Sequence, residues 1–352
     1  MKLTLLTAIL LLGLAIVASA QEKPLSQAEF VRMLYAARNN AEARQALIEA
    51  LRRRGIDFEV TDGLRSLTRS KSGNDDELRR TLDQAGRRRQ NPTAAKLPSE
   101  LEAAAILDKT RQKTLEAIGE MPDFVVKQQI QRSAAYAGTG NFRNLDKLIV
   151  AVSYRASGAE AYKLLAVNGV PQQQTEARES YEQAGGTSST GEFVTVLATI
   201  FKPESETEFT LVDTDLLRGR QTVVFDFSIA RDRARQQITV GNTITQTTVT
   251  GMKGRIWIDR ELFRVLRIES EATQIPEDFP APSALRTIDY DWARIAEEKY
   301  LLPLVADVRL TIRDKSGLYE LRNLIRFTNY QKFGTETIIG PEDSEPVREE
   351  KP

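Results

Sequence analysis

The stretch Gly251 to Ala272, GMKGRIWIDRELFRVLRIESEA, alternates apolar and polar residues on both sides of a short polar turn. Strand side chains alternate faces with a period of two, so this pattern specifies two paired strands with one apolar face and one that tolerates charge. The spacing predicts a first strand over Gly254 to Ile258, a turn over Asp259 to Leu262, and a second strand over Phe263 to Ala272. Ile256 and Ile258 point one way on the first strand; Arg255 and Trp257 point the other. Repeated along a chain, such arms bury their apolar faces by building a large sheet.

The design recurs. Further strands are expected over Asp123 to Ala135, Leu145 to Ala156, Ala161 to Asn168, Glu208 to Leu217, Gln221 to Ile229, Arg235 to Val240, Thr243 to Val249, Ala284 to Ile295, Leu301 to Arg313 and Tyr319 to Lys332. Gly169, Gly219, Gly251 and Gly317 fall where turns are wanted, and Gly241-Asn242 is a two-residue hairpin signal. Short connections between successive strands imply an antiparallel meander.

Helical periodicity precedes the strands. Ser26 with Glu29 fits a capping box ahead of Phe30, Met33 and Leu34, and Ala41 to Arg54 forms an apolar stripe that stops at Gly55. Asp62 and the run Asn74 to Asp76 are candidate caps of two more helices, which completes a small all-helical module over residues 21–90. Arg87, Arg88 and Arg89 before Asn91-Pro92 read as a solvated linker. A long helix is expected from Ser99 to Gly119, and a shorter one carrying Phe193, Leu197, Ile200 and Phe201, capped by Ser189 with Glu192 and ending before Pro203. The Gly185 to Glu192 stretch lacks the Gly-Lys-Ser/Thr ending of a nucleotide loop, so it is read as a linker.

Met1-Lys2, an apolar run to Val17 and Ala18-Ser19-Ala20 make up a secretory signal peptide over residues 1–20, which places the expected mature protein in the periplasm with no transmembrane segment. The chain has no Cys and no His, so histidine bases, thiolate nucleophiles and Cys/His metal sites are excluded. Lys plus Arg and Asp plus Glu both number 49, a balance that gives no global attraction to nucleic acid. The acidic, Pro-containing end, residues 339–352, reads as a disordered tail.

The order of elements, a leading helix, three strands, a helix and a long meander, is carried by segments such as GRQTVVFDF, GRIWIDRELFRVLRIE, YLLP and LRNLIRFTNYQKF. With these residues the region from Leu101 to Phe333 resembles the LolA-like periplasmic carriers and the RseB-like envelope regulators, most closely secreted acidobacterial proteins of this type. RRRGIDFEVTDGLRSL in the helical module resembles a short module of acidobacterial proteins, where Ser72-Gly73-Asn74-Asp75-Asp76 departs mildly from that pattern. The resemblance implies an α+β fold: a large curved antiparallel β-sheet, a half-barrel over residues 91–338, covered by helices and preceded by the helical module. It also implies an apolar or acylated ligand, lipid or lipoprotein, held between sheet and helices. The alternative it carries is an envelope sensor or scaffold acting through protein contacts, with residues 26–89 as the partner-binding part. No catalytic residue, metal or cofactor is implied.

Two local features bear on chemistry. Asp213 with Asp215, and Asp289 with Asp291, lie two apart and so share a face; they are read as exposed sheet charges with Arg286, Arg294 and Arg309 as partners. Phe225, Phe227, Trp257, Phe263, Trp292 and Phe327 are the expected lining of a ligand cavity, and the same residues would equally serve as core. The Pro-rich segment Ile275 to Pro282 is expected to lie over a sheet edge or cavity mouth.

Overall fold

The computed structural model describes residues 22–333, apart from 39, 74, 93–95, 138, 173–186, 189 and 242–244. Residues 1–20, expected to be a signal peptide, residues 339–352, expected to be a tail, and Ser189 and Asn242 lie outside the described residues.

Four helices come first: α1 (Gln27–Ala36), α2 (Ala41–Arg54), α3 (Asp62–Lys71) and α4 (Asp76–Gln90). Ser26 caps α1 by accepting the Glu29 N–H, as its position predicts. Gly55, at φ 68°, ends α2 in the left-handed region where a side chain is disfavoured. Thr61, one residue earlier than expected, caps α3, and Asp75 caps α4. Phe30, Leu34, Leu47, Leu51, Leu64, Leu78 and Leu82 converge on one apolar cluster. Arg87 to Arg89 are not linker residues: α4 runs through them to Gln90.

Helix α5 (Glu100–Gly119), capped by Ser99, leads into the sheet. Its strands are β1 (Phe124–Tyr136), β2 (Arg143–Tyr154), β3 (Glu160–Val167), β4 (Val170–Pro171), β5 (Glu208–Leu217), β6 (Arg220–Ile229), β7 (Gln236–Val240), β8 (Gln246–Asp259), β9 (Val265–Thr273), β10 (Ser283–Ile295), β11 (Glu298–Asp314) and β12 (Gly317–Lys332). Two short helices, α6 (Thr195–Phe201) and α7 (Arg231–Ala234), lie between strands. The sheet order is β4-β3-β2-β1-β12-β11-β10-β9-β8-β6-β5, with β7 on β8, and every pairing is antiparallel. The ends β4 and β5 do not pair, so the sheet is an open half-barrel and the fold is α+β.

Two expected strands are one: β8 runs unbroken from Gln246 to Asp259, pairing first with β7 and then with β6. Within it Gly254 allows β8 to lie close to β9, because its bare backbone lies against Glu269 and Ser270, where a Cβ would collide with the Glu269 carbonyl. The β7–β8 connection is longer than two residues, since Val240 pairs with Gln246. Helix α6 begins at Thr195 without a side-chain cap, later than expected, because Glu192 to Val194 form a turn instead.

The main core lies on the sheet face covered by α5 and α6. Ala103 and Ile106 of α5 and Val196, Leu197, Ile200 and Phe201 of α6 pack there against Val126, Ile130, Val150, Val223, Ile256, Ile268, Ile288 and Ile325. The other face carries a smaller cluster of Leu217, Val224, Trp257 and Leu266. The Pro-rich segment is packed: Phe279 and Ala281 join Ile238 and Ala272 in a further cluster, and the Arg313 N–H donates to the Pro280 carbonyl at 2.7 Å.

Candidate functional site: the helix-covered face and the parting of two strands

The covered face is filled by aromatic rings from both layers. Phe193, just before α6, stands edge-on to Phe124 of β1 and Phe327 of β12, each at 5.4 Å between ring centroids. Phe124 in turn stacks on Tyr154 of β2 at 4.9 Å. Offset and edge-on contacts of this kind add to the burial of each ring.

Beside this cluster two neighbouring strands part. β11 pairs with β12 only from Val305–Arg326 to Asp314–Gly317, while its earlier residues continue to pair with β10 as far as Ile295–Glu298. Beyond Arg326, β12 stays with β1 instead, through Thr328–Lys127 and Gln331–Val125. Pro303 helps to explain the parting: it has no N–H to donate, and β10 shifts register next to it, between Asp289 and Tyr290. On the β12 side Asn329 sits at φ 57° and β1 shifts register between Val125 and Lys127. Between the strands lies a cleft of about 210 Å³, lined by Trp292, Leu302, Leu304, Phe327 and Tyr330 and also by Asp291 and Arg294. The Tyr330 hydroxyl spans the gap and donates to the Pro303 carbonyl at 2.6 Å. Burial pushes the phenols of Tyr330 and nearby Tyr290 far above their ordinary value, so both remain neutral donors.

The six aromatics expected to form one lining are distributed over both faces. Phe225, Phe227 and Phe327 are buried in the main core. Phe263 is half-buried at the β8–β9 turn, at φ 55°, with the ammonium groups of Lys109 and Lys113 over its ring at 4.8 and 5.2 Å. Trp257 is on the opposite face, as its alternation with Ile256 and Ile258 dictates, and its indole N–H donates to Asp215 at 3.0 Å. Trp292 is 43% exposed and shares the cleft with Phe327. Only those two of the six meet there.

Asp213 and Asp215 are not exposed sheet charges, and their partners are other arginines; Asp289 is partly buried, and Asp291, its side chain 48% exposed, is the one of the four that matches the expectation. Asp213 and Asp215 are each 2% exposed. Arg88 donates to Asp213 at 2.6 Å, and Arg87 grips Asp215 with two bonds of 2.8 and 2.9 Å. Both arginines come from α4, which lies against the face opposite α5 and α6. Asp289 pairs with Arg267 and Arg218, and Arg309 with Asp307 and Glu320. The burial of Asp213 and Asp215 was illegible because the helix that covers them lies about 130 positions away.

Glu160 and Glu192 are two acids near each other under the α6 approach. Burial raises the Glu160 carboxyl, although the Tyr162 hydroxyl and the Gly191 N–H both donate to it. No third acid joins them: among the described residues no group of three or more Asp or Glu gathers to hold a metal.

No family model matches the chain. No curated protein matches its sequence either. Among solved structures, a DUF1329 family protein from Desulfovibrio piger is 7% identical, covering 66% of this chain and 95% of its own, with a TM-score of 0.34. MucB in complex with MucA(peri) is 12% identical over 64% of this chain and 94% of its own, TM-score 0.18. The MucA/MucB complex of Pseudomonas aeruginosa gives 11%, 62% and 94%, TM-score 0.17. These likenesses are too slight to assign a role to any residue.

One buried group on the covered face is out of place. Gln128 of β1 is 0% exposed, between Val150 and Phe327, and neither atom of its amide has a hydrogen-bond partner. A buried unpaired amide costs about 1–3 kcal/mol, so Gln128→Met should stabilise the protein by that order. Chemical denaturation reads this as a higher midpoint with an unchanged slope; an unstable Q128M would mean that the amide has a partner in solution.

Proposed function

We propose that the protein is an exported, periplasmic binding protein that works by docking rather than by bond chemistry, and that the cleft between β11 and β12 receives an apolar group of its partner. The observation that carries this reading is the pairing of a filled covered face with an open apolar cleft beside it. A long acyl chain threaded between sheet and helices would have to displace Phe193 and α6, whereas Trp292 and Leu304 already stand half in solvent at the cleft. Ligand pockets for whole small molecules run to about 300–1,000 Å³, and the cleft is smaller, suited to a chain terminus or one large side chain. This is the scaffold form of the reading. A carrier of an acylated ligand is the second form, favoured by the apolar walls; there the chain end enters the cleft, each buried methylene contributing about 0.8 kcal/mol.

The chain has two tryptophans, so a Trp257→Phe variant leaves Trp292 as sole reporter. Titrated with dodecanoate, its emission should shift to the blue and saturate, and Leu304→Glu should abolish the shift. A flat titration excludes the carrier form. Native mass spectrometry of protein from a periplasmic extract, followed by organic extraction, then separates the two: co-purifying lipid supports a carrier, a partner polypeptide a scaffold. Emission unmoved by dodecanoate together with an apo mass from the extract would sink both.

A further inference from the structure

The two ends of the sheet are finished very differently. β4 is two residues long and includes Pro171, which has no N–H to offer. β5 is ten residues long and pairs with β6 on one side alone, so its other side is a free edge. Two layers cover that edge. The Asp213 and Asp215 carboxylates fold back to accept the N–H groups of Thr214 and Leu216, at 2.9 and 2.7 Å, and Gln84 of α4 donates to the Thr214 carbonyl at 3.3 Å. Over the carboxylates lie Arg88 and Arg87, leaving the two acid side chains 3% and 1% exposed.

The contact that holds α4 there is polar. Besides Gln84, Arg87 and Arg88, α4 reaches the sheet through the Arg80–Glu269 ion pair at 2.8 Å, on β9, three strands in from β5. The apolar cluster of α1–α4 and the main core of the sheet have no residue in common. A buried ion pair is generally no more stabilising than the well-packed apolar contact that could replace it.

We propose that the β5 edge is a docking surface for an arginine-bearing segment of a partner protein, and that α4 occupies it in cis. The partner's chemistry follows from what is buried: two carboxylates two residues apart on one face, each requiring a guanidinium. A second copy of the chain is the poorer occupant, since antiparallel pairing of two β5 edges about Thr214 sets Asp213 opposite Asp215 of the other copy, and like charges there repel. The acids equally repel an anionic lipid surface.

The test uses the full chain and a labelled peptide with the sequence of residues 76–91, followed by fluorescence anisotropy. In an R87E/R88E variant the resident helix is repelled and the edge opens, so the peptide should bind at least tenfold more tightly than to the wild type. Adding D213N/D215N to that variant should remove the gain. Equal binding to wild type and variant, or binding that survives D213N/D215N, overturns the proposal. If R87E/R88E does not fold, R87Q/R88Q takes its place; should that variant also lose its sheet by circular dichroism, the helix is integral to the fold and the edge is no docking surface.

Discussion

Arg87→Ala will lower the stability of the protein by about 3 kcal/mol, the order found when one partner of a buried pair is removed and the other charge is left behind. The stranded group is Asp215, whose carboxylate also holds the Trp257 indole N–H and the Leu216 N–H. Asp215→Leu would be no remedy, because it orphans both donors as well. The pH dependence has a definite sign. Burial disfavours the charged form of Asp215, but the bonds and charge of Arg87 outweigh it and hold the carboxyl below its ordinary range. A lowered carboxyl contributes stability above its unfolded value and loses it as the pH falls through the folded one. Asp213 runs the other way: burial dominates over Arg88 and raises it, so its contribution is favourable only while it is protonated. As acid neutralises Asp215 the wild type gives up what R87A never had. The stability difference between the two, measured by urea unfolding across a pH series, therefore narrows below the usual carboxylate range. A difference that is constant with pH would mean that R87A acts through lost packing alone.

Phe193→Ala should cost about 3–5 kcal/mol, the range for removing a buried aromatic ring. The ring is 1% exposed and stands between Phe124 and Phe327, so its loss leaves a void walled by rings from β1 and β12 and by α6. Thermal unfolding measures the cost. The same variant bears on function, because a void beside Phe327 adjoins the cleft; benzene or dodecanoate should restore part of the lost stability to F193A and none to the wild-type core. Less than about 1 kcal/mol lost would show that α6 closes over the gap.

Much of the sheet was legible because alternation is a local signal. The bounds Glu208 to Leu217 follow from residues within the strand, and β5 has them. Helix caps were nearly as readable: Ser26, Gly55 and Ser99 act through backbone groups only a few positions away. What failed to show was long-range. Arg87 and Arg88 look like linker until Asp215 and Asp213 face them from a strand more than a hundred residues on. The cleft was hidden for a similar reason, since its walls are set by where β11 leaves β12, and a register has no spacing of its own in the chain. Pro303 within an apolar run was the one visible hint, as proline interrupts a ladder. Trp257 shows the reverse case, where the alternation was plain and grouping aromatics by type obscured it.

The sheet order bears on how the chain assembles in time. β1 lies between β2 and β12, so Phe124 waits for Lys332 and the whole intervening chain must be made before that pair can close. Until then the strands are two separate ribbons, β1 to β4 and β5 to β11, each with a long bare flank at β1 and at β11. Helices α1 to α4 fold from nearby contacts and are made first, so the cover for β5 is ready before β5 emerges, and among the described residues these helices offer no such cover to the other two flanks. The last strand thus acts as a keystone, and chains stopped short of it should be the ones that aggregate.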